Sequence, residues 1–436
     1  MSPLTFCTRP VSLQRLATTA LTSLVLALAG AAPAVAADAA VPPAGNSVRL
    51  RALDFSPYAE ALAALPPQQT AMLDAFLRRA TVLDVQAALR AGELSAETLT
   101  LYFVQRTQRH DEQLRTLLEL NPAALAEARA ADALRKSGKP LGPLHGIPVT
   151  LKDNIETAGP MHTTAGAELL LDHVARRDAP LVARLRAAGA VILGKANLSE
   201  FAGIVTLGPR MGGTSAVGGQ TINPHGAALT GGSSAGSAAG TAALLTMVSV
   251  GTETSGSLIT PSSWNGVVGM KPSRGLVSGI GIVPLILNND SAGPIGRSVT
   301  DVAVLLGAMG QVDVDYTAAL KFDALDGVAV GVLAGEISQM AGNTPLLQAA
   351  AGTLVAAGAR LRPVTLAKQS GGVDDGEFLR FMAGGLRHDT LPYLASLGLP
   401  VKTPQDLLAY GAAQPQRRQP FGADVLASLA QAWADI

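Results

Sequence analysis

Cysteine is nearly absent from this 436-residue sequence, and the one present, Cys7, stands in a stretch that reads as a removable leader. The remainder therefore offers no disulfide framework and no thiol nucleophile. Aromatic residues make up only 4%, too few for a base-stacking platform. Charge of either sign is not in excess: Lys+Arg 33 balance Asp+Glu 33, which leaves no basic footprint for nucleic acid or an anionic membrane. Long hydrophobic runs are missing too, since the most apolar stretch, residues 21–29, is too short to span a bilayer. What is abundant is apolar and small: 48% hydrophobic residues and 46 glycines, enough chain for a large core in one large domain or two.

Residues 1–36 read as a secretory signal, with Arg9 and Arg15 in a basic region, the apolar stretch, and Ala34-Val35-Ala36 as the cleavage site. No adjacent arginine pair points to the twin-arginine route, and no cysteine follows Ala29-Gly30 to carry a lipid. Export to the periplasm or medium is expected, with no membrane span after cleavage. Residues 37–52, rich in Ala and Pro, are expected to form a tether ahead of a folded domain over 53–436.

Thr81-Val82-Leu83-Asp84 has capping-box spacing and Gly92 stops the helix that follows. A second helix is predicted from Ser95 towards His110. A third has Asn121 as cap, Pro122 in its first turn and Gly138 at its end. From there strands alternate with helices, the rhythm of α/β architecture: a strand over 147–151, a helix over 178–188 stopped by Gly189, and a strand over 190–193. Residues 189–195 have phosphate-loop spacing, but the four intervening positions read as buried strand and Ala196 replaces the required hydroxyl. Later, Ser298-Val299-Thr300-Asp301 caps a helix to Met309; a strand over 327–332, a helix over 344–357 and the stretch 360–364 follow.

Two Ser/Gly clusters flank a short apolar segment in residues 228–272. Gly231, Gly232, Gly236 and Gly256 allow sharp turns, and Ser233, Ser234, Ser255 and Ser257 place hydroxyls on them. Serine needs a base beside it to act as a nucleophile. Gly232-Ser233-Ser234-Ala235-Gly236 fits the expression for a nucleophile elbow, which would make Ser234 the centre of a Ser-His-Asp esterase. Against this, no buried strand leads directly into it and only His388 lies downstream. No serine stands three residues before a lysine. Among the eight lysines, Lys152 closes an apolar strand, which can carry its ammonium into the interior and lower its pKa or simply let it reach solvent.

These residues resemble the amidase signature hydrolases. Gly142-Pro143-Leu144-His145-Gly146-Ile147-Pro148-Val149-Thr150-Leu151-Lys152-Asp153-Asn154 is similar to that family's catalytic-lysine strand. Gly194-Lys195-Ala196-Asn197-Leu198-Ser199-Glu200-Phe201 is similar to its next landmark. Its two serine motifs are matched by Gly231-Gly232-Ser233-Ser234-Ala235-Gly236-Ser237 and Gly251-Thr252-Glu253-Thr254-Ser255-Gly256-Ser257. Residues 266–272 and Asp290-Ser291-Ala292-Gly293-Pro294 follow in the family's order, so that the match is best over 81–365. The resemblance implies an α/β fold with a mixed central β-sheet flanked by helices, and hydrolysis of linear amides through an acyl-enzyme. It implies Lys152 as base, Ser233 as bridging serine on a cis peptide and Ser257 as nucleophile. The N–H groups of Thr254, Ser255, Gly256 and Ser257 would form the oxyanion hole, and no metal or cofactor is called for.

Two departures bear on function. Ser255 stands where most members have a second glycine, with Glu253 two before it, a variant that resembles the exported bacterial peptide amidases. The expected substrate is thus a C-terminal peptide amide or a simpler acyl amide. Residues 374–436 show no counterpart of the family's late strands and Gly/Pro-rich stretch, so the sheet is expected to lack its C-terminal strands and to expose an edge. The alternative of another class is a truncated or inactive relative that only binds amide ligands. The sequence says nothing of oligomeric state.

Overall fold

A computed structural model of the protein describes residues 49–139, 141–204, 212–226, 228–321, 325–333, 344–364, 375–418 and 424–434. The expected signal and most of the expected tether lie outside the described residues. The tether's last residues are tied down: Leu50 N donates to the Val217 carbonyl at 2.9 Å, and Arg49 pairs with buried Asp111 at 3.0 Å. No helix among the described residues is long and apolar enough to cross a membrane.

Chain contacts define two units, one holding residues 49–321 and 375–434, the other residues 325–364. After a short helical stretch over residues 56–64, the first contains helices α1 (Pro67–Leu77), α2 (Val82–Ala91) and α3 (Ala96–Leu114). The Thr81/Asp84 capping box forms, and Gly92 ends α2 in the left-handed conformation. Ser95 caps α3, which runs to Leu114 rather than His110. Strand β1 (Leu117–Leu120) and helix α4 (Ala124–Lys136) follow. Asn121 does not cap α4; its side chain accepts from Ala123 N and donates to Ile192 O and Glu127, fastening the turn to the next strand but one.

Then come β2 (Pro148–Lys152), α5 (Pro180–Ala187) and β3 (Val191–Ala196). Pro180 sets the start of α5, two residues later than the sequence suggested, because its ring suits a first turn and no later position. Asp178 instead accepts from Ala158 N and Arg186. The serine-rich region supplies α6 (Ala235–Ala242), β4 (Val248–Glu253), α7 (Ile259–Trp264), β5 (Val268–Gly269) and β6 (Ser291–Gly296), and α8 (Val299–Met309) follows its predicted capping box.

Six strands make one mixed sheet in the order β1-β3-β2-β4-β6-β5. The central trio β3-β2-β4 is parallel, and the flanking pairs are antiparallel. This bears out the expected α/β class with a mixed central sheet flanked by helices. The parallel strands are buried at every position, as strands covered on both faces must be. The main core gathers Leu99, Phe103, Val149, Leu151, Ile192, Val248 and Leu305. A second core seats α10 (Asp375–Gly385), α11 (Leu391–Ser396), α12 (Pro404–Ala412) and α13 (Asp424–Ala434): Met382, Leu386, Leu394, Leu407 and Leu429 meet Phe201, Ile204, Leu285 and Ile286. In the other unit, β7 (Ala329–Leu333) and β8 (Arg360–Val364) pair in parallel around α9 (Thr344–Ala356).

Candidate active site

Parallel register places the chemistry. Val149, Thr150 and Leu151 of β2 lie opposite Val248, Ser249 and Val250 of β4, so Lys152, the last residue of β2, reaches the carboxyl end of the sheet beside Thr252. Its side chain is wholly buried. Nζ lies 2.7 Å from Ser233 Oγ, 2.8 Å from Thr252 Oγ1 and 3.2 Å from the Thr252 carbonyl. Asn154 Nδ2 donates to the same Thr252 hydroxyl at 3.0 Å. Burial lowers the Lys152 pKa to about 7, against an upward pull from the Asp290 and Glu253 carboxylates. A neutral amine has two N–H donors and one lone pair; two donors for Thr252 and one acceptor for the Ser233 hydroxyl match that inventory.

Ser233 follows a cis peptide bond from Gly232, and its carbonyl accepts from Ser199 N at 3.0 Å. Ser234, the residue an esterase elbow would use, is fully buried and occupied: Oγ donates to the Thr252 carbonyl at 3.0 Å and accepts from Thr252 N at 3.2 Å. His388 is exposed in the segment Leu386–Thr390, so it does not complete a triad with Ser234. Gly251 permits the close approach of strand and turn, since a Cβ there would stand 2.7 Å from Ser234 Oγ.

Ser257 lies just past β4 and is buried at 8% exposure, while Ser255 is exposed. Ser257 joins the first serine turn through its carbonyl, which accepts from Ser234 N at 3.2 Å. Gly256 adopts φ +83°, a left-handed conformation that a side chain would strain. Among the described residues, no backbone acceptor takes the N–H groups of Ser255, Gly256 or Ser257. The structure thus brings Lys152, Ser233 and the 254–257 loop to one end of β2 and β4, with Lys152 and Ser233 in direct contact.

Four supporting groups were not assigned roles from sequence. Thr252 holds both Lys152 and Ser234. Glu253 Oε2 accepts from the N–H groups of Leu258 and Ile259, at 2.7 and 3.0 Å. Lys271 Nζ donates to the Thr254 carbonyl at 3.0 Å and lies 3.6 Å from Glu253. Asp290 accepts from the Thr254 hydroxyl. Strand alternation hints at Thr252, two residues beyond Val250, and Glu253 ends the same strand; Lys271 and Asp290 act from positions the chain returns to only in three dimensions.

The chain belongs to the amidase family, whose model matches residues 98–387. Among solved structures it is similar to the native peptide amidase of Stenotrophomonas maltophilia, with TM-score 0.75 and 39% identity over 82% of this chain and 78% of that one. An amidase family protein of Bacillus anthracis matches with TM-score 0.79 and 34% identity, covering 86% and 77%. A probable amidase of Arabidopsis thaliana is 44% identical over 236 residues, 53% of this chain and 46% of the relative. The chain spans about half the length of the curated relatives it matches. The resemblance read from the motifs is thereby borne out at the level of the family.

Proposed function

We propose that this protein hydrolyses linear carboxamides through Ser257, Ser233 and Lys152. The observation that carries the reading is the 2.7 Å contact between Ser233 Oγ and a wholly buried lysine amine whose pKa is lowered to about 7. Neutral Lys152 takes the proton of Ser233, Ser233 takes that of Ser257, and Ser257 Oγ bonds to the amide carbonyl carbon. The resulting oxyanion meets the N–H groups of Thr254, Ser255, Gly256 and Ser257, where one donor typically contributes on the order of 3 kcal/mol. Collapse breaks the C–N bond, and the proton on Lys152 returns through Ser233 to the departing ammonia or amine. Water, deprotonated by the same relay, then hydrolyses the acyl-enzyme.

C-terminal peptide amides are the proposed substrate class, supported by the Glu253/Ser255 variant of the second serine motif and by similarity to a peptide amidase. Incubating the protein with an amidated peptide, its free-acid form and a simple acyl amide, with ammonia as readout, tests this. Ammonia from the amidated peptide, lost in Ser257→Ala, is the expected result. Release unaffected by Ser257→Ala would refute the assignment of the nucleophile, and no release from any amide by either protein would favour a module that only binds amides.

Export is proposed on the character of residues 1–36. N-terminal sequencing of protein recovered from the periplasm or medium is expected to begin at or near Ala37; a chain that retains Met1 would refute it.

A further inference from the structure

The loop that carries Ser255–Ser257 is held from outside at Thr254, by Lys271 on its carbonyl and by the Asp290 carboxylate on its hydroxyl. Asp290 Oδ2 accepts from the N–H groups of Leu285 and Ile286, at 2.8 and 3.0 Å, which by itself would only close its own turn. Its Oδ1, however, accepts from the Thr254 hydroxyl, on the loop that leaves β4. The turn is itself packed, since Leu285 and Ile286 are buried in the core formed with α10 and α11. A Cβ on Gly385 of α10 would stand 2.4 Å from Ile286 Cγ1. Asp290 therefore bridges the serine loop to a packed part of the molecule. The same carboxylate acts electrostatically on Lys152.

We infer that Asp290 is a positioning residue for the site: through Thr254 it fixes the loop that presents the oxyanion N–H groups. The inference rests on the roles proposed above for Lys152 and Ser257. Groups facing Lys152 are few. Asp290 and Glu253 favour its protonated form; Ser233, Thr252 and Asn154 are neutral; Lys271 is paired with Glu253; and the neighbouring Asp153 is paired with Lys195 at 3.3 Å. A negative charge near an amine raises its pKa, so removing it must extend the neutral amine, and activity, to lower pH.

Asp290→Asn separates charge from shape, because a flipped amide can still accept from Leu285 and Ile286 and donate to Thr254 Oγ1. Its expected effect is a shift of the acid limb of kcat/KM to lower pH by at least about half a unit. Thr254→Val removes the tether and keeps the charge, so kcat is expected to fall about tenfold with the limb unmoved, and Thr254→Ser to restore it. The titration of Lys152 is followed independently of turnover by 13Cε NMR of the eight lysines, with Lys152→Arg identifying the resonance. Wild-type kcat in Thr254→Val overturns the positioning role, and a Lys152 titration in Asp290→Asn identical to wild type overturns the accompanying action of the carboxylate charge on Lys152. Full activity in Lys152→Ala would instead sink the proposed relay, with the NMR titration still judging whether Asp290 acts on Lys152.

Discussion

Lys152→Ala is expected to lower kcat/KM on an amide by about three to four orders of magnitude while leaving the fold intact, the upper range for loss of a positioned base. The expectation follows because, among the described residues, no other basic side chain bonds Ser233 Oγ. Ser233 Oγ meets Lys152 at 2.7 Å, and Ser234 is already engaged by the Thr252 backbone. The pH profile carries the same signature. Only neutral Lys152 can accept a proton, and its pKa is about 7, so kcat/KM should fall tenfold per unit below about pH 7 and level off above it. Stability responds in the same direction. The folded-state value lies below the unfolded one, near 10.5, so burying Lys152 weakens the fold fully below about pH 7, and the penalty is relieved as pH rises towards 10.5. A Lys152→Ala variant that keeps more than a tenth of wild-type kcat/KM, or a wild-type profile flat between pH 5 and 8, would remove lysine from the mechanism.

The order of elements was legible because local chemistry announced it. Capping boxes at Thr81 and Ser298 and the stop at Gly92 act within a few residues, and each forms. Two of the strands that the sequence did not announce show what such signals miss. β1, Leu117-Leu118-Glu119-Leu120, is four residues long and follows directly on α3, with no alternation to read. β6, Ser291-Ala292-Gly293-Pro294-Ile295-Gly296, has the composition of a loop. It forms a strand because a Cβ on Gly293 would stand 2.1 Å from the Met270 carbonyl: the glycine lets the chain back into the sheet, a fit that exists only once β5 is in place.

The site divides in the same way. Lys152, Ser233 and Ser257 were visible through motifs, which are local in sequence, and the burial that lowers the Lys152 pKa was foreshadowed by the apolar strand that ends in it. Thr252 as a shared acceptor and donor, and the clamp made by Glu253, Lys271 and Asp290, depend on the end of β4 meeting segments that arrive later in the chain. No spacing rule announces them.

A second large effect is expected where the chain buries an ion pair next to the proposed base. Lys195 Nζ lies 3.3 Å from Asp153 Oδ1, and both side chains are almost wholly buried. Burial pushes the Asp153 carboxyl up and the Lys195 ammonium down, against the attraction each offers the other. Each is also tied to the same strip of backbone. Lys195 donates to the His162 carbonyl and to Thr163 Oγ1, both at 2.9 Å, while Asp153 accepts from Thr164 N at 2.9 Å and from the Thr164 hydroxyl. Removing one partner leaves an uncompensated charge in the interior, which costs about 3–5 kcal/mol, whereas removing both leaves none. Lys195→Met and Asp153→Leu should therefore each destabilise the protein by that amount in urea unfolding, and the double variant should be more stable than either single one. Because Asp153 adjoins Lys152, both singles should also lower kcat, and the double variant should recover stability without recovering the position of the β2 terminus. Single variants that lose less than about 1 kcal/mol, or a double variant that loses the sum of both, would show that the two charges do not depend on each other.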